Sequence, residues 1–469
     1  MIDLKQLRDD PQRFIDGAEA KGIDIDFAEL LDLDSRHRDL MLERETARSE
    51  QNKIGKDTGP RIGELKGRIK KADDADRAAL ESELAEMEAR PVALKADIQR
   101  IDEEISAMEP ALDALIMAVP QPPDPDVPRG LSAEDNVELR QWSPDNFDPS
   151  KSFAENRGYQ PRTHVELVEH LGIADFQRAV KIAGTRHYAL RGDGMRLHQA
   201  VLQHAFDLIT SEHDFLPMSV PVIVREECMV GTGFFPSGRE QAYHIEESRR
   251  GAGHDLYLAG TGEVGLMGLH GDEIIDAEQL PLKYATVSTC FRREAGAGGR
   301  ETAGLYRVHQ FDKVEQVVIC RADEAESRQW HATMIDIVET MLQDLRLPYR
   351  LFQCCTADLG PKNADMIDIE CWMPGRGPLD SDGRPQGDWG ETHSASRLYD
   401  FQCRRLNMRY RDENGKTVFC HSLNNTVLAS PRILIPILEM YQQEDGSVVV
   451  PEVLRGGMGK DTLQPTVAV

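Results

Sequence analysis

Nowhere in its 469 residues does this sequence hold an apolar run near the roughly 20 residues that a membrane-spanning helix needs. The N-terminus, MIDLKQLRDDPQRF, has no signal-type apolar stretch either. A soluble, cytoplasmic chain with no membrane contact is expected. CxxC pairs are absent: Cys228, Cys290, Cys320, Cys354, Cys355, Cys371, Cys403 and Cys420 form neither a disulfide framework nor a zinc motif. Buried free thiols are the expectation. No P-loop occurs and no glycine motif sits in a βαβ unit, which argues against a Rossmann or Walker nucleotide site. Positive charge is in deficit, with a formal net charge of −26. General attraction to nucleic acid is disfavoured, and any such contact must use a local basic patch.

What is present starts with helix-forming composition over residues 1–118. From Leu80 apolar residues recur at Leu84, Met87, Leu94, Ile98, Ile101, Ile105, Met108, Leu112 and Leu115. Spacings of four and three make a heptad seam, and a seam needs a partner helix. The segment from Phe27 to Ile54 supplies one, so a long antiparallel hairpin is expected. Pro91 and Pro110 should kink or locally break the return helix. The turn is expected between Gln51 and Lys71. Lys53, Lys56, Arg61, Lys66, Arg68, Lys70 and Lys71 cluster there against only Asp57 and Glu64. A solvated charged tip and a contact with nucleic-acid phosphates both remain open.

Five prolines between Val119 and Gly130 end the helical region. They set the expected domains: residues 1–118 a helical arm, 119–135 a linker, 136–460 the main domain and 461–469 a loose tail. The main domain mixes helices, near Leu190–Leu208 and Ala322–Leu345, with β-rich runs and shows no βαβ repeat. The fold class is therefore α+β, a helical arm plus an antiparallel sheet flanked by helices. If LYRVHQFDKVEQV is a strand, Arg307, His309, Phe311, Lys313 and Glu315 share one face. That suits a ligand platform with a cation, a stacking ring and a carboxylate, although a solvent-facing strand would look similar. In the preceding CFRRE run, Arg292 and Glu294 share a face in the same way, before a glycine-rich turn.

The whole stretch from Cys290 to Val317, CFRREAGAGGRETAGLYRVHQFDKVEQV, closely resembles motif 2 of the seryl-tRNA synthetases, which are class II aminoacyl-tRNA synthetases. Other blocks match in order. LAGTGEVGL resembles the serine-binding Thr-x-Glu loop at Thr261 to Glu263. MSVPVIVREECMVGTGFFP, around Pro221, resembles the dimer-forming motif 1. GETHSASRLYDFQCRR resembles the metal- and ATP-binding segment. HSLNNTVLASPRILIPILEMYQQEDGSVVVPEVLR resembles motif 3, and the N-terminal hairpin resembles the family's tRNA-binding arm.

The resemblance implies a class II synthetase core and a homodimer. It implies ligation of L-serine to tRNA(Ser), and to tRNA(Sec) where that exists, with ATP and Mg2+. Thr261, Gly262, Glu263, Glu315 and Thr426 would receive serine. Arg292, Arg293, Glu294, Arg307, Phe311, Glu391, Thr392, His393, Ser394 and Arg432 would hold ATP, with Glu391 and Ser394 on magnesium. The seven basic residues from Lys53 to Lys71 would meet tRNA.

Four features depart from the family pattern, one of them an arm turn around Asp57 to Arg77 that is longer than usual. Gly262 stands where alanine is common, and a small effect is expected. His393 and Ala395 replace the usual Ser and Cys, with His393 a spectator. The segment from Pro374 to Asp388 is extended and expected to be a mobile loop. The alternatives are an amino acid–carrier protein ligase, which should lack the long arm, and a non-catalytic paralogue, which should have lost Arg292, Arg432 or Glu391.

Overall fold

The structure, a computed structural model, describes residues 1–246, 255–296 and 304–465. The chain divides into two compact units, Asp24–Val119 and a body made of Met1–Ile23 with Pro120–Val469. The N-terminal residues, expected to start the arm, instead belong to the body as helices α1 (Leu4–Asp9) and α2 (Pro11–Ala20). Lys21 follows α2 and fixes it there: its ammonium donates to Gly360 O at 2.9 Å and Asn363 O at 2.6 Å. Burial pushes that ammonium down to about 7.

The arm consists of α3 (Phe27–Ile69) and α4 (Asp74–Ala118). Asp26 caps α3 by accepting from Glu29 N, and Asp73 caps α4 by accepting from Asp76 N. Leu30, Ala47 and Leu65 are buried on α3, and Leu94, Ile101, Ile105, Met108 and Leu112 on α4. Arg44–Asp102, Arg61–Glu83 and Arg90–Glu50 pairs tie the antiparallel helices together. The turn occupies only residues 70–73, and the stretch from Gln51 to Ile69, expected as a turn, is helix. Its glycines and Pro60 suggest a break, but Thr58, Ile62, Leu65 and Ile69 continue the seam. Pro60, Pro91 and Pro110 all lie inside unbroken helices. Each removes one backbone donor, and the pairing of the two helices carries the chain through.

The body is built on an eight-stranded sheet. Its strands are β1 (Val137–Trp142), β2 (Leu216–Met218), β3 (Leu282–Phe291), β4 (Gln310–Cys320), β5 (Tyr349–Gln353), β6 (Asp365–Met373), β7 (Asp388–Tyr399) and β8 (His421–Ser430). The order is β1-β5-β6-β7-β8-β4-β3-β2, antiparallel except where β2 joins β3. Helices α5 (Asp193–Asp207), α6 (Gly262–Gly268), α7 (Glu324–Asp344), α8 (Phe401–Arg405) and α9 (Leu434–Tyr441) surround it. Leu197 and Val201 of α5 and Met334 and Val338 of α7 form one core with Val314 and Val318 of β4. Gln316 of β4 also points to α7, donating to Met334 O at 3.0 Å. By alternation, Phe311, Lys313 and Glu315 face the other way.

Three expectations need correction. The proline-rich stretch is a strap on the body, since Gln121 N donates to Pro361 O and Asp124 N to Ala364 O. Residues 374–388 form a hydrogen-bonded hairpin: Asp380 N donates to Arg384 O and Gln386 N to Pro378 O. The tail is anchored up to Leu463, where Thr462–Leu463 pairs with Val448–Val449. Residues 466–469 of that tail and most of the glycine-rich turn before β4 lie outside the described residues. All eight cysteines are free thiols, seven of them buried. Among the described residues no helix is long and apolar enough to cross a membrane.

Candidate active site

A cavity of about 360 Å³ opens over β4, with α6 and parts of β6, β7 and β8 forming its walls. At one end are Thr261, Glu263, Lys313, Glu315, Lys362, Asn424 and Thr426. Register explains the grouping, because Glu315 of β4 lies opposite Thr426 of β8 and Thr286 of β3. Thr261 comes from elsewhere in the chain as the N-cap of α6, its hydroxyl accepting from Glu263 N. Lys313 Nζ donates to Thr261 Oγ1 at 2.8 Å and Thr426 Oγ1 at 3.5 Å, and it is ion-paired with Glu315. Burial pushes the Glu315 carboxyl up, Lys313 opposes the shift, and the charge of Glu263 adds to it. Glu263 Oε1 accepts three donors: Lys362 Nζ at 2.6 Å, Gln402 Nε2 at 2.6 Å and Asn424 Nδ2 at 2.8 Å.

The other end carries Arg292, Glu294, Arg307, Phe311 and Arg432. The Arg292 guanidinium lies 5.3 Å from the Phe311 ring centroid, and Arg307 is 3.5 Å from Glu294. Arg432 Nη1 donates to Glu391 O at 3.0 Å, and its guanidinium stacks on Tyr306, 4.5 Å from the ring centre. Arg376, from the 374–388 hairpin, also stacks on Tyr306 at 4.5 Å. The strands are shorter than the sequence suggested: β3 ends at Phe291 and β4 begins at Gln310. Arg292, Glu294, Arg307 and His309 therefore sit in loops where alternation does not apply. Glu294 adopts a positive φ of 50°. His309 instead packs against His187, with 5.1 Å between ring centroids.

One wall is acidic. Glu391 and Ser394 of β7 line it with Asp358 and Asp368, and Asp368 pairs in register with Ser394. Burial first, and the charge of Glu391 second, push the Asp368 carboxyl up to about 8. Ligand atoms of Cys354, Asp358 and Asp368 lie within 4.8 Å of one another. Thr392 also borders the cavity, but its hydroxyl donates to Ile369 O at 3.1 Å. His393 is buried beside it, Nδ1 2.8 Å from Thr392 Oγ1, and burial pushes it down to about 3, so it stays neutral.

Two expected residues do not line the cavity. Arg293 is exposed, and Gly262 lies beneath, where a Cβ would stand 2.5 Å from Thr286 Cγ2 and 2.9 Å from Ser288 Oγ. A methyl at this position would thus collide with side chains of β3, which the backbone freedom expected of a glycine does not reveal. The seven basic residues are exposed on the arm. Arg61 and Lys66 are paired with Glu83 and Glu88, while Lys53, Lys56, Arg68, Lys70 and Lys71 have no ion pair among the described residues. Sequence reasoning assigned no role to Asn424, although it shares a strand face with Thr426. It also missed Lys362, Gln402, Tyr306 and Asp368. Lys362 and Gln402 reach Glu263 from distant segments, and no local pattern announces them.

A profile of the class II tRNA synthetase core domain (G, H, P, S and T) matches residues 243–441, and one of the seryl-tRNA synthetase N-terminal domain matches residues 1–123. The chain is 38% identical to a serine–tRNA ligase of Deinococcus radiodurans over 98% of both chains. It is 38% identical to one of Thermobifida fusca over 99% of both. Among solved structures it resembles seryl-tRNA synthetase from Pyrococcus horikoshii complexed with ATP, with a TM-score of 0.82, 34% identity and full coverage of both chains. It also resembles a cytoplasmic serine–tRNA ligase from Naegleria fowleri in complex with AMP, with a TM-score of 0.79, 27% identity and coverage of 97% and 96%.

Proposed function

This chain belongs to the seryl-tRNA synthetase family, and we propose that it is a serine–tRNA ligase. It activates L-serine with ATP to seryl-adenylate and transfers the seryl group to the 3′ end of tRNA(Ser), and of tRNA(Sec) where the cell makes it. One observation carries the reading: a single cavity holds two carboxylates and two threonine hydroxyls at one end, and arginines with a stacking ring at the other.

In this reading Glu263 and Glu315 receive the serine ammonium and hydroxyl, with Thr261 and Thr426 beside them. Alanine is rejected because it leaves these buried polar groups unpaired. Arg292 holds the serine carboxylate and the α-phosphate, and Arg307 the terminal phosphate. Phe311 and Arg432 hold the adenine between them, and Glu294 accepts from its amino group. The serine carboxylate then attacks the α-phosphorus in line, forming the acyl–phosphate bond as pyrophosphate leaves. The chain supplies no nucleophile, so catalysis consists of positioning and charge stabilisation. The acidic wall fits Mg2+, since Glu391 and Ser394 offer oxygen donors with Asp358 and Asp368 beside them. Bound there, the ion would neutralise phosphate charge. The tRNA terminal hydroxyl next attacks the adenylate carbonyl and releases AMP. The basic residues of the arm support tRNA contact, and the resemblance to motif 1 supports a homodimer.

The test is serine-dependent exchange of pyrophosphate into ATP, followed by charging of total tRNA. Both are expected. Exchange without charging would favour a carrier-protein ligase, and no exchange with any amino acid would remove the enzymatic reading.

A further inference from the structure

Each of the two carboxylates at the amino-acid end of the cavity has its own lysine, Lys313 on Glu315 and Lys362 on Glu263. The pocket is thus charge-balanced, and an ammonium substrate is not drawn in by net negative charge. Orientation of the carboxylates must then do the selecting. Glu263 is 3% exposed, and all three of its side-chain donors converge on one oxygen, Oε1. Gln402 is itself oriented, since its carbonyl oxygen accepts from Ser422 Oγ at 2.9 Å. The Lys362 ammonium lies 4.3 Å from the Phe234 ring centroid, a second attraction that fixes its position. Among the described residues Oε2 of Glu263 has no side-chain donor, so three donors hold one oxygen and leave the other for a ligand.

We propose that Lys362 is a positioning residue for amino-acid recognition: with Gln402 and Asn424 it locks Glu263 so that Oε2 alone is presented to the α-ammonium of the substrate. This rests on the serine–tRNA ligase reading above. Lys362 touches no reacting atom. It keeps Glu263 aimed, and its loss leaves two neutral donors that cannot hold the carboxylate as firmly.

The experiment measures pyrophosphate exchange by the full-length protein, with serine and ATP varied separately, for wild type, Lys362→Met and Lys362→Arg. Loss of a charge-assisted hydrogen bond is expected to raise KM for serine about tenfold in Lys362→Met. The KM for ATP should not change, and Lys362→Arg should recover most of the loss. Thermal midpoints establish that the variants are folded, and Lys362→Gln replaces Lys362→Met if the latter is not. An unchanged or lowered KM for serine overturns the proposal, the lowered value showing Lys362 to be a competitor for Glu263. Equal rises in both KM values overturn it as well, by showing a general structural role. Failure of the parent reading looks different, because wild-type protein would then show no serine-dependent exchange at all.

Discussion

Gly262 shows how tightly the amino-acid end is built. It opens α6 directly above β3 and β4, and a methyl there meets Thr286 Cγ2 at 2.5 Å. Gly262→Ala should therefore push α6 and Glu263 off the sheet, at a cost of about 1–3 kcal/mol in stability. Serine-dependent kcat/KM should fall on the order of tenfold, since about 1.4 kcal/mol of lost transition-state binding is a factor of ten. Adding Thr286→Ser removes the opposing methyl and should restore part of both losses. Kinetics and thermal melts of the single and double variants check this, and absence of rescue would mean that Ser288 or the backbone sets the limit. Sequence alone showed that a glycine replaced the common alanine, but not that β3 had filled the space, because residues 262 and 286 meet only in the fold. Phe311, Lys313 and Glu315 were legible for the opposite reason: neighbours on one strand face are separated by two residues, and the sequence states that spacing directly.

Among the elements, the arm separates what periodicity reveals from what composition obscures. The α4 seam was readable because leucines and isoleucines repeat at four and three. The upper half of α3 was not, because Gly55, Gly59, Pro60, Gly63 and Gly67 carry the marks of a loop while weaker seam residues keep it helical. This relocates five of the seven basic residues, Lys53 to Arg68, from a turn to a helix surface and separates paired from unpaired ones. Lys53 and Lys56 are exposed without an ion pair among the described residues, whereas Arg61 and Lys66 are already engaged by Glu83 and Glu88. Neutralising Lys53 and Lys56 together should weaken tRNA binding and lower the slope of log K against log salt by about one to two. Neutralising Arg61 and Lys66 should change it less. Titrations of tRNA at several ionic strengths distinguish the pairs, and equal effects would show that the acidic partners release their lysine and arginine on binding.

For the molecule as a whole, one buried histidine should contribute to acid sensitivity. His331 of α7 is 4% exposed, with Nε2 3.1 Å from Ala395 O and Nδ1 3.1 Å from Arg397 Nη1. Burial, helped by Arg397 and opposed by Asp365, pushes it down to about 4. Below pH 6.5 the unfolded chain takes up a proton that the folded body refuses. Its contribution to stability is thus complete above pH 6.5 and drains away as pH falls towards 4. His331→Gln should flatten the pH dependence of the urea midpoint across that window, and an unchanged slope would assign acid sensitivity to other groups. The arm has a consequence of another kind. The body's chain departs after Ile23 and resumes at Pro120, so the arm is an insertion closed at both roots. Excising one heptad from each of α3 and α4, on facing stretches, would preserve the seam and shorten the rod by about 10 Å. Insertion or loss of matched heptads would therefore reset the length of this calliper, and with it the RNAs it is proposed to grip, without altering a residue of the body.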